Sequence, residues 1–355
     1  MKKILLFILS LVVGIALFIG VIVYIGVDEI IAAFQSFSWS IIAVVVVLSF
    51  IQVFITIYRW KLILEAQGDR VPFRKLIAPK FVGYAISFLT PGLYVGGEPV
   101  RAFVLKKQTG TSYSHGFASI IVDKILDFTY PLPFLIAALV YAIFAYDLPW
   151  GAVSVFVLIL FILIIILGIF YIQTYRGRGF FSSLIKFFQL HRIRRINRLL
   201  EKMLYFEKLI ITFFNHRQTL FIKGLLISLL GGIVILTQFT VILYALGVAA
   251  SFWQILVMMV FMILSFLIPI PASLGAFETG QVVVFAALKH TTSAGVAFTL
   301  ILRTAEILKV GLGLIFLSNL GLKFLKEIPK ENELNNNHLV SSAGDDGLES
   351  NESKE

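Results

Sequence analysis

No cysteine occurs in the 355 residues, which excludes disulfides, thiolate metal sites and cysteine nucleophiles. Charge is scarce: Asp, Glu, Lys and Arg make up 14% of the chain, against about 25% in ordinary soluble domains. Also missing are G-x-S-x-G, P-loop and H-E-x-x-H patterns, the sequence marks of serine hydrolases, phosphate-binding ATPases and zinc proteases. The histidines, His115, His191, His216, His290 and His338, are too scattered to suggest a metal centre. These omissions predict a protein that is not an enzyme and carries no cofactor.

Apolar residues fill the space, at 59% of the chain with a mean hydropathy of +0.95. The fold class expected is an all-α polytopic membrane protein. Its 34 Phe suit lipid-facing and interhelical packing, and Trp39 and Trp150 are placed as interfacial anchors. The run Ile4 to Val27 follows Met1-Lys2-Lys3. It is longer than the roughly 7–15 residues of a signal-peptide core and has no small-x-small cleavage site after it, so it reads as a first span. Further spans fall at about 40–58, 116–146, 151–172, 219–247 and 294–318, each long enough for about 30 Å of hydrocarbon.

Two hydrophobic segments are interrupted in the same way. One reads PGLYVGGEPVR from Pro91 to Arg101, the other PIPASLGAFE from Pro269 to Glu278. Proline removes a backbone donor and glycine loosens a helix, so neither segment crosses as one smooth helix. Such interruptions, one in each half, are a sequence pointer to a transport site between internal repeats. The broken regions, about 77–106 and 253–289, are read as re-entrant hairpins rather than as pairs of short spans.

Loop charge orients the chain. The loops at 28–38, 146–150 and 247–252 lack Lys and Arg, whereas Arg59, Lys61, Arg70, Arg74, Lys75 and Lys80 fall within 59–80. Ten Lys or Arg occupy 176–217, and Lys323, Lys326 and Lys330 follow the last span. The positive-inside rule then places both termini and the basic segment in the cytoplasm of a multi-pass cell-membrane protein. Six crossings and two hairpins satisfy every loop, and units at about 40–146 and 219–318 then run in opposite directions as an inverted repeat within a membrane domain of residues 1–320. The basic linker at 176–217 sets Ile193, Ile196, Leu200, Met203 and Ile210 against Arg192, Arg194, Arg195, Arg198 and Lys202, an amphipathic pattern suited to an anionic leaflet rather than to nucleic acid. Residues 331–355 form a polar, acidic tail expected to be disordered.

The candidate site residues gather at the breaks. Glu98 and Arg101, three apart, share a helix face and are expected to pair. Gly96 and Gly97 before them leave backbone N–H groups at a helix start, which attracts anions including phosphate. Glu278 mirrors Glu98 in the second break, with Gly275 as the turn, and its nearest cation is Arg303. Arg303, Glu306 and Lys309 form one stripe, and charges at membrane depth face the bundle interior and pair, so a buried pair of Arg303 with Glu278 or Glu306 is expected. Asp123 and Asp127 lie four apart, a candidate ion relay, although neutralisation by Lys124 near the cytoplasmic end is the simpler expectation. Each of these groups is equally available for a purely structural role.

The segments GGEPVRAFVLKK (Gly96 to Lys107), YRWKLIL (Tyr58 to Leu64), VDKIL (Val122 to Leu126) and PIPASLGAFE resemble the lysylphosphatidylglycerol synthase transmembrane family. That flippase-like region also occurs in the multiple peptide resistance factor and in an archaeal protein of polyprenol-linked glycosylation. The resemblance covers about residues 5–320 and implies a role in moving an anionic phospholipid or a polyprenyl-linked lipid between leaflets. Lys124 stands where the family more often has arginine. The chain ends soon after the last span, so the synthase activity in the family name is not expected. Membrane lipids are then the expected partners, with Glu98, Arg101, Gly96, Gly97, Glu278 and Arg303 as substrate-binding residues. Two other readings share the architecture: a carrier of a small solute, and an integral-membrane enzyme acting on a lipid phosphate through Glu98, Arg101 and Asp123. The sequence leaves the oligomeric state open, a homo-oligomer included.

Overall fold

A computed structural model describes residues 38–90, 96–146, 150–187 and 194–345, together with Ile19, Val23 and Asp28 singly. The first span expected at Ile4 to Val27 and the stretch Pro91 to Val95 of the first break therefore lie outside the described residues, those single positions aside. Every regular element among the described residues is helical.

The first of these helices, α1 (Trp39–Ala66), is about 42 Å long at 1.5 Å per residue. Val45, Ser49, Val53 and Ile57 are spaced four apart and buried, while Val44, Val47, Ile51 and Phe54 are exposed along the other side. This is the division expected of a span with one face on protein and one on lipid. Trp39 stands exposed at its start, as an interfacial anchor would.

The first broken segment forms α2 (Phe73–Leu89) and α3 (Glu98–Thr109), packed on each other. Helix α4 (Tyr113–Thr129) follows, capped by the Ser112 hydroxyl, which accepts from the His115 amide. The long span expected at 116–146 is two helices, because Pro131 cannot donate a helical hydrogen bond; α5 (Leu132–Ala145) begins after a bend at Tyr130. Helix α6 (Trp150–Tyr175) exposes most of its described middle, including Phe161 and Ile165.

The basic segment forms α7 (Phe180–Phe187) and α8 (Arg194–His216). The expected surface helix is only part of the outcome: Phe206, Ile210 and Phe213 of α8 are buried against Ile63, Ala118, Val122 and Leu126 of α1 and α4. Its apolar stripe is thus satisfied, at this end, by the bundle instead of by lipid. Ile193 lies outside the described residues.

The second half repeats the order of the first. Helix α9 (Gln218–Ala245) packs along α1, and Gln238 donates from Nε2 to Ser49 Oγ at 2.7 Å and to the Val45 carbonyl at 3.2 Å. Then come α10 (Phe252–Leu267), a short 3-10 turn (Pro271–Ser273) and α11 (Ala276–Ala287), followed by α12 (Thr292–Asp345). Contacts correspond between the halves. Helices α2 and α3 pack together as do α10 and α11; α3 packs on α4 as α11 does on α12; and α2 lies on α12 as α10 lies on α5. Helix α12 continues past the last span to Asp345, so helix takes in much of the acidic segment expected to be disordered. Propagation from a packed helix adds a hydrogen bond per residue without a new nucleus.

Among the described residues, four helical stretches are long and apolar enough to cross a membrane: Trp39–Ala66, Tyr113–Ala145, Phe156–Tyr175 and Gln218–Ala245. The chain is a multi-pass membrane protein.

Candidate functional site

Each break ends in a helix that begins with a glycine cap and carries a glutamate in its first turn: Gly97 and Glu98 for α3, Gly275 and Glu278 for α11. Each glutamate takes its cation from the next helix. Lys124 Nζ of α4 lies 3.0 Å from Glu98 Oε1, and Arg303 Nε of α12 lies 2.8 Å from Glu278 Oε1. Three residues beyond each cation stands another carboxylate, Asp127 or Glu306.

The two sites then diverge. Around Glu278 every strong group is satisfied. Its Oε2 accepts from the Gly275 amide at 2.8 Å, the glutamate half of a capping box. Arg303 donates from Nη1 to the Ala272 carbonyl at 2.7 Å and to Glu306 Oε2 at 2.9 Å, and from Nη2 to the Ser273 carbonyl at 3.2 Å. Ala272 and Ser273 have φ of 58° and 49°, a left-handed conformation costly for non-glycine residues. The guanidinium holds that strained turn by its carbonyls. The expected buried pair is present, and it works as a clamp.

Around Glu98 the pattern differs from the sequence expectation. Glu98 and Arg101 do not pair with each other, since Lys124 reaches Glu98 while Arg101 Nη1 donates to Asp123 Oδ2 at 3.0 Å. Each aspartate draws cations from other helices. Asp123 is fully buried and accepts from Arg59 Nε at 2.8 Å and Lys80 Nζ at 3.3 Å besides Arg101, and Asp127 accepts from Arg59 Nη2 at 2.6 Å. Tertiary neighbours with full charge outcompete a helical i,i+3 partner whose geometry is not enforced. Arg59 and Lys80, which read as cytoplasmic loop charge, are part of this network. Arg59 sits well inside a helix longer than a bilayer requires, and its Nη1 also donates to Ser228 Oγ of α9 at 2.7 Å. The signal for Arg59 was that excess length.

The glycines act by close approach. A Cβ on Gly97 would overlap the Gly83 carbonyl oxygen of α2, and the Gly97 amide is taken by Ser87 Oγ at 2.9 Å. That amide is therefore committed to α2, not left for an anion. A Cβ on Gly96 would overlap Thr90 Oγ1 in the same way.

A pocket of about 270 Å³ opens beside this network, lined among others by Lys80, Tyr84, Ser87, Glu98, Arg101 and Asp127. The Arg101 guanidinium lies 3.6 Å from the centroid of the Trp60 ring, a cation–π stack that fixes its plane. Trp60 is itself held by Nε1 donating to Ser119 Oγ at 2.9 Å. With Nη1 on Asp123, the other edge of the guanidinium, Nε and Nη2, is buried with no partner, and so is Glu98 Oε2. Buried polar groups are nearly always bonded, so these orphans ask for a ligand. Four cations (Arg59, Lys80, Arg101, Lys124) meet three carboxylates (Glu98, Asp123, Asp127), leaving one positive charge in excess. No metal-holding group of acidic or histidine side chains occurs among the described residues.

Residues 9–313 match the family described as the lysylphosphatidylglycerol synthase TM region. The chain belongs to this family. Its relatives are described as UPF0104 membrane proteins. One from Pyrococcus horikoshii is 26% identical over 312 residues, 85% of this chain and 92% of the relative. One from Methanothermobacter thermautotrophicus is 28% identical over 266 residues, 73% of this chain and 78% of the relative. The family match spans both breaks and the charged network between α1 and α4.

Proposed function

We propose that the protein translocates an anionic lipid, a phospholipid or a polyprenyl-linked lipid, between the leaflets of the cell membrane, with both termini in the cytoplasm. The observation that carries this reading is the buried, unpartnered Nε–Nη2 edge of Arg101, a residue that lines a pocket of net positive charge. That edge is the fork that takes an oxyanion side-on through two parallel hydrogen bonds. Arg101 is stacked on Trp60 and anchored to Asp123, so little side-chain entropy is lost when it binds. Lys80 adds charge from across the pocket. Glu98 would repel a bare phosphate, but its free Oε2 suits a hydroxyl or ammonium on the same headgroup. The headgroup favoured is thus a phosphate with a donor attached, which lipids linked to glycerol or sugar provide.

Family membership supports the same reading, because the resemblance implies lipid movement rather than chemistry at a bond. A cycle would expose the pocket first to one leaflet and then to the other as the two hairpins shift against α4 and α12. Glu278 and Arg303 would keep the second hairpin intact during that shift. No catalytic residue is assigned.

The test is exchange of labelled phospholipids between leaflets of vesicles containing the purified protein. Arg101→Ala and Glu98→Gln are expected to slow exchange by roughly tenfold or more, the scale of losing a hydrogen bond to a charged group. Both variants should remain folded and inserted. Unchanged exchange in Arg101→Ala would reject this site.

A further inference from the structure

Tyr130, at the bend between α4 and α5, lines the charged pocket and also lines a second cavity of about 320 Å³. Apart from Tyr130 that cavity has only apolar walls, drawn from the start of α5 and from facing sides of α9 and α10; Phe134, Leu229, Leu236, Leu256 and Met259 are among them. Gly232 of α9 faces the tyrosine ring so closely that a Cβ there would lie 3.1 Å from Tyr130 Cε2. Water gains no hydrogen bonds in a cavity of this kind, and an empty one forfeits dispersion contacts along its whole lining. A hydrocarbon chain satisfies it.

We propose that the two cavities are one bipartite site for an anionic amphiphile. Arg101 takes the acidic head, and a single hydrocarbon chain runs past the Tyr130 ring to lie between α5, α9 and α10. The inference rests on the charged pocket being an anion site and adds the location of the tail. Tyr130, shared by both linings, is what joins head to tail: a lipid merely filling the apolar cavity from the bilayer would have no need of the charged pocket. The Tyr130 ring divides the two environments, with Asp127 one turn before it on the polar side and Phe134 one turn after it on the apolar side. Water-soluble phosphates would use half of this site and gain nothing from the rest.

The experiment uses the full chain in phosphatidylcholine nanodiscs with two probes, glycerol 3-phosphate and dodecyl phosphate bearing a photoreactive diazirine near the chain end. Binding to Arg101→Ala is subtracted to remove partition into the bilayer. Dodecyl phosphate is expected to bind roughly tenfold or more tightly than glycerol 3-phosphate, given the apolar area removed from water. Its photoadducts are expected on cavity residues such as Leu236 and Met259, and Gly232→Leu should erase the affinity difference. Should that variant fail to fold, Met259→Ala enlarges the cavity and should shift preference toward hexadecyl phosphate. Equal affinity for the two probes, or adducts confined to outward residues such as Phe161 and Ile165, would overturn the bipartite site while leaving the anion site standing. Competition by uncharged dodecyl maltoside as strong as that by dodecyl phosphate would overturn it in the same way. Binding of neither probe through Arg101 would remove both readings together.

Discussion

Asp123 is the residue on which the first charge network turns, since Arg59, Lys80 and Arg101 all donate to it from three different helices. Asp123→Asn would leave those buried cations underpaired. Loss of one partner in a buried ionic cluster typically costs about 3–5 kcal/mol. The thermal midpoint in detergent is therefore expected to fall sharply, and adding Lys80→Met should recover part of it by removing one orphaned charge. An unshifted midpoint would mean that water, not Asp123, balances these cations. Arg303→Met should also lower the midpoint, because it strands Glu278 and releases the left-handed turn at Ala272 and Ser273, yet it should leave glycerol 3-phosphate binding alone. Arg101→Met should do the reverse, since two of its nitrogens hold nothing in the protein. Glu98, Arg101 and Glu278 were legible in the sequence because charges beside a Pro–Gly break in an apolar run are rare and conspicuous. Their partners were not. Spacing on one helix says which residues are near, whereas Lys124 and Asp123 win through tertiary packing that spacing does not encode. Arg59 and Lys80 were hidden for a related reason: a basic residue near the end of a hydrophobic run reads as loop charge whether or not the helix carries it inward.

At the scale of elements, the tight packing of α2 on α3 depends on atoms that are missing. Gly97→Ala would drive a methyl group into the Gly83 carbonyl, a backbone atom that cannot swing aside. The helices must separate, and the Ser87 bond to the Gly97 amide is strained or lost with them. Overpacking of this kind costs about 1–3 kcal/mol or more. Gly168→Ala in α6 is the matched control, because a Cβ there meets nothing within 4 Å. It should be neutral or should stabilise by up to about 1 kcal/mol through helix propensity. Comparing the two midpoints separates close approach from propensity; equal shifts would show that Gly97 is not a contact glycine. The breaks themselves were legible from proline and glycine alone. The bend inside the span at 116–146 was also written in the sequence, as Pro131 and Pro133, but apolar length dominated the reading. The destination of α8 was not legible, because an amphipathic stripe fits a leaflet and a bundle equally well, and only the burial of Phe206, Ile210 and Phe213 decides between them.

For the whole molecule, the decisive geometry is where the first hairpin begins and ends. The turn before α2 and the turn after α3 meet: Asp69 Oδ2 lies 2.7 Å from His115 Nδ1, and residues 68–72 and 109–112 line one polar cavity together. His115 Nε2 lies 3.2 Å from the Tyr205 hydroxyl of α8, which brings the basic segment to the same end. A segment that leaves and returns to one end of a bundle is a hairpin, whether its tip stops within the membrane or reaches the far face. Single cysteines can report this directly, because the chain has no cysteine of its own to give background. Arg70→Cys, Lys106→Cys and Arg176→Cys, all exposed positions, should react with an impermeant maleimide from the cytoplasmic face, and Ala249→Cys, in the turn before α10, from the opposite face. The positive-inside rule sets the direction, since 59–80 keeps Lys61, Arg70, Arg74 and Lys75 even after Arg59 and Lys80 are withdrawn into the bundle. If Lys106→Cys labels with Ala249→Cys, then α2 and α3 together complete a crossing and the hairpin reading fails. If all four label from one side, α9 does not span as its length and apolar face require. Agreement of Arg70, Lys106 and Arg176 would place the mouth of the first hairpin on the cytoplasmic face, with Arg101 reached from that side and the Arg303 clamp belonging to the hairpin that enters from the other.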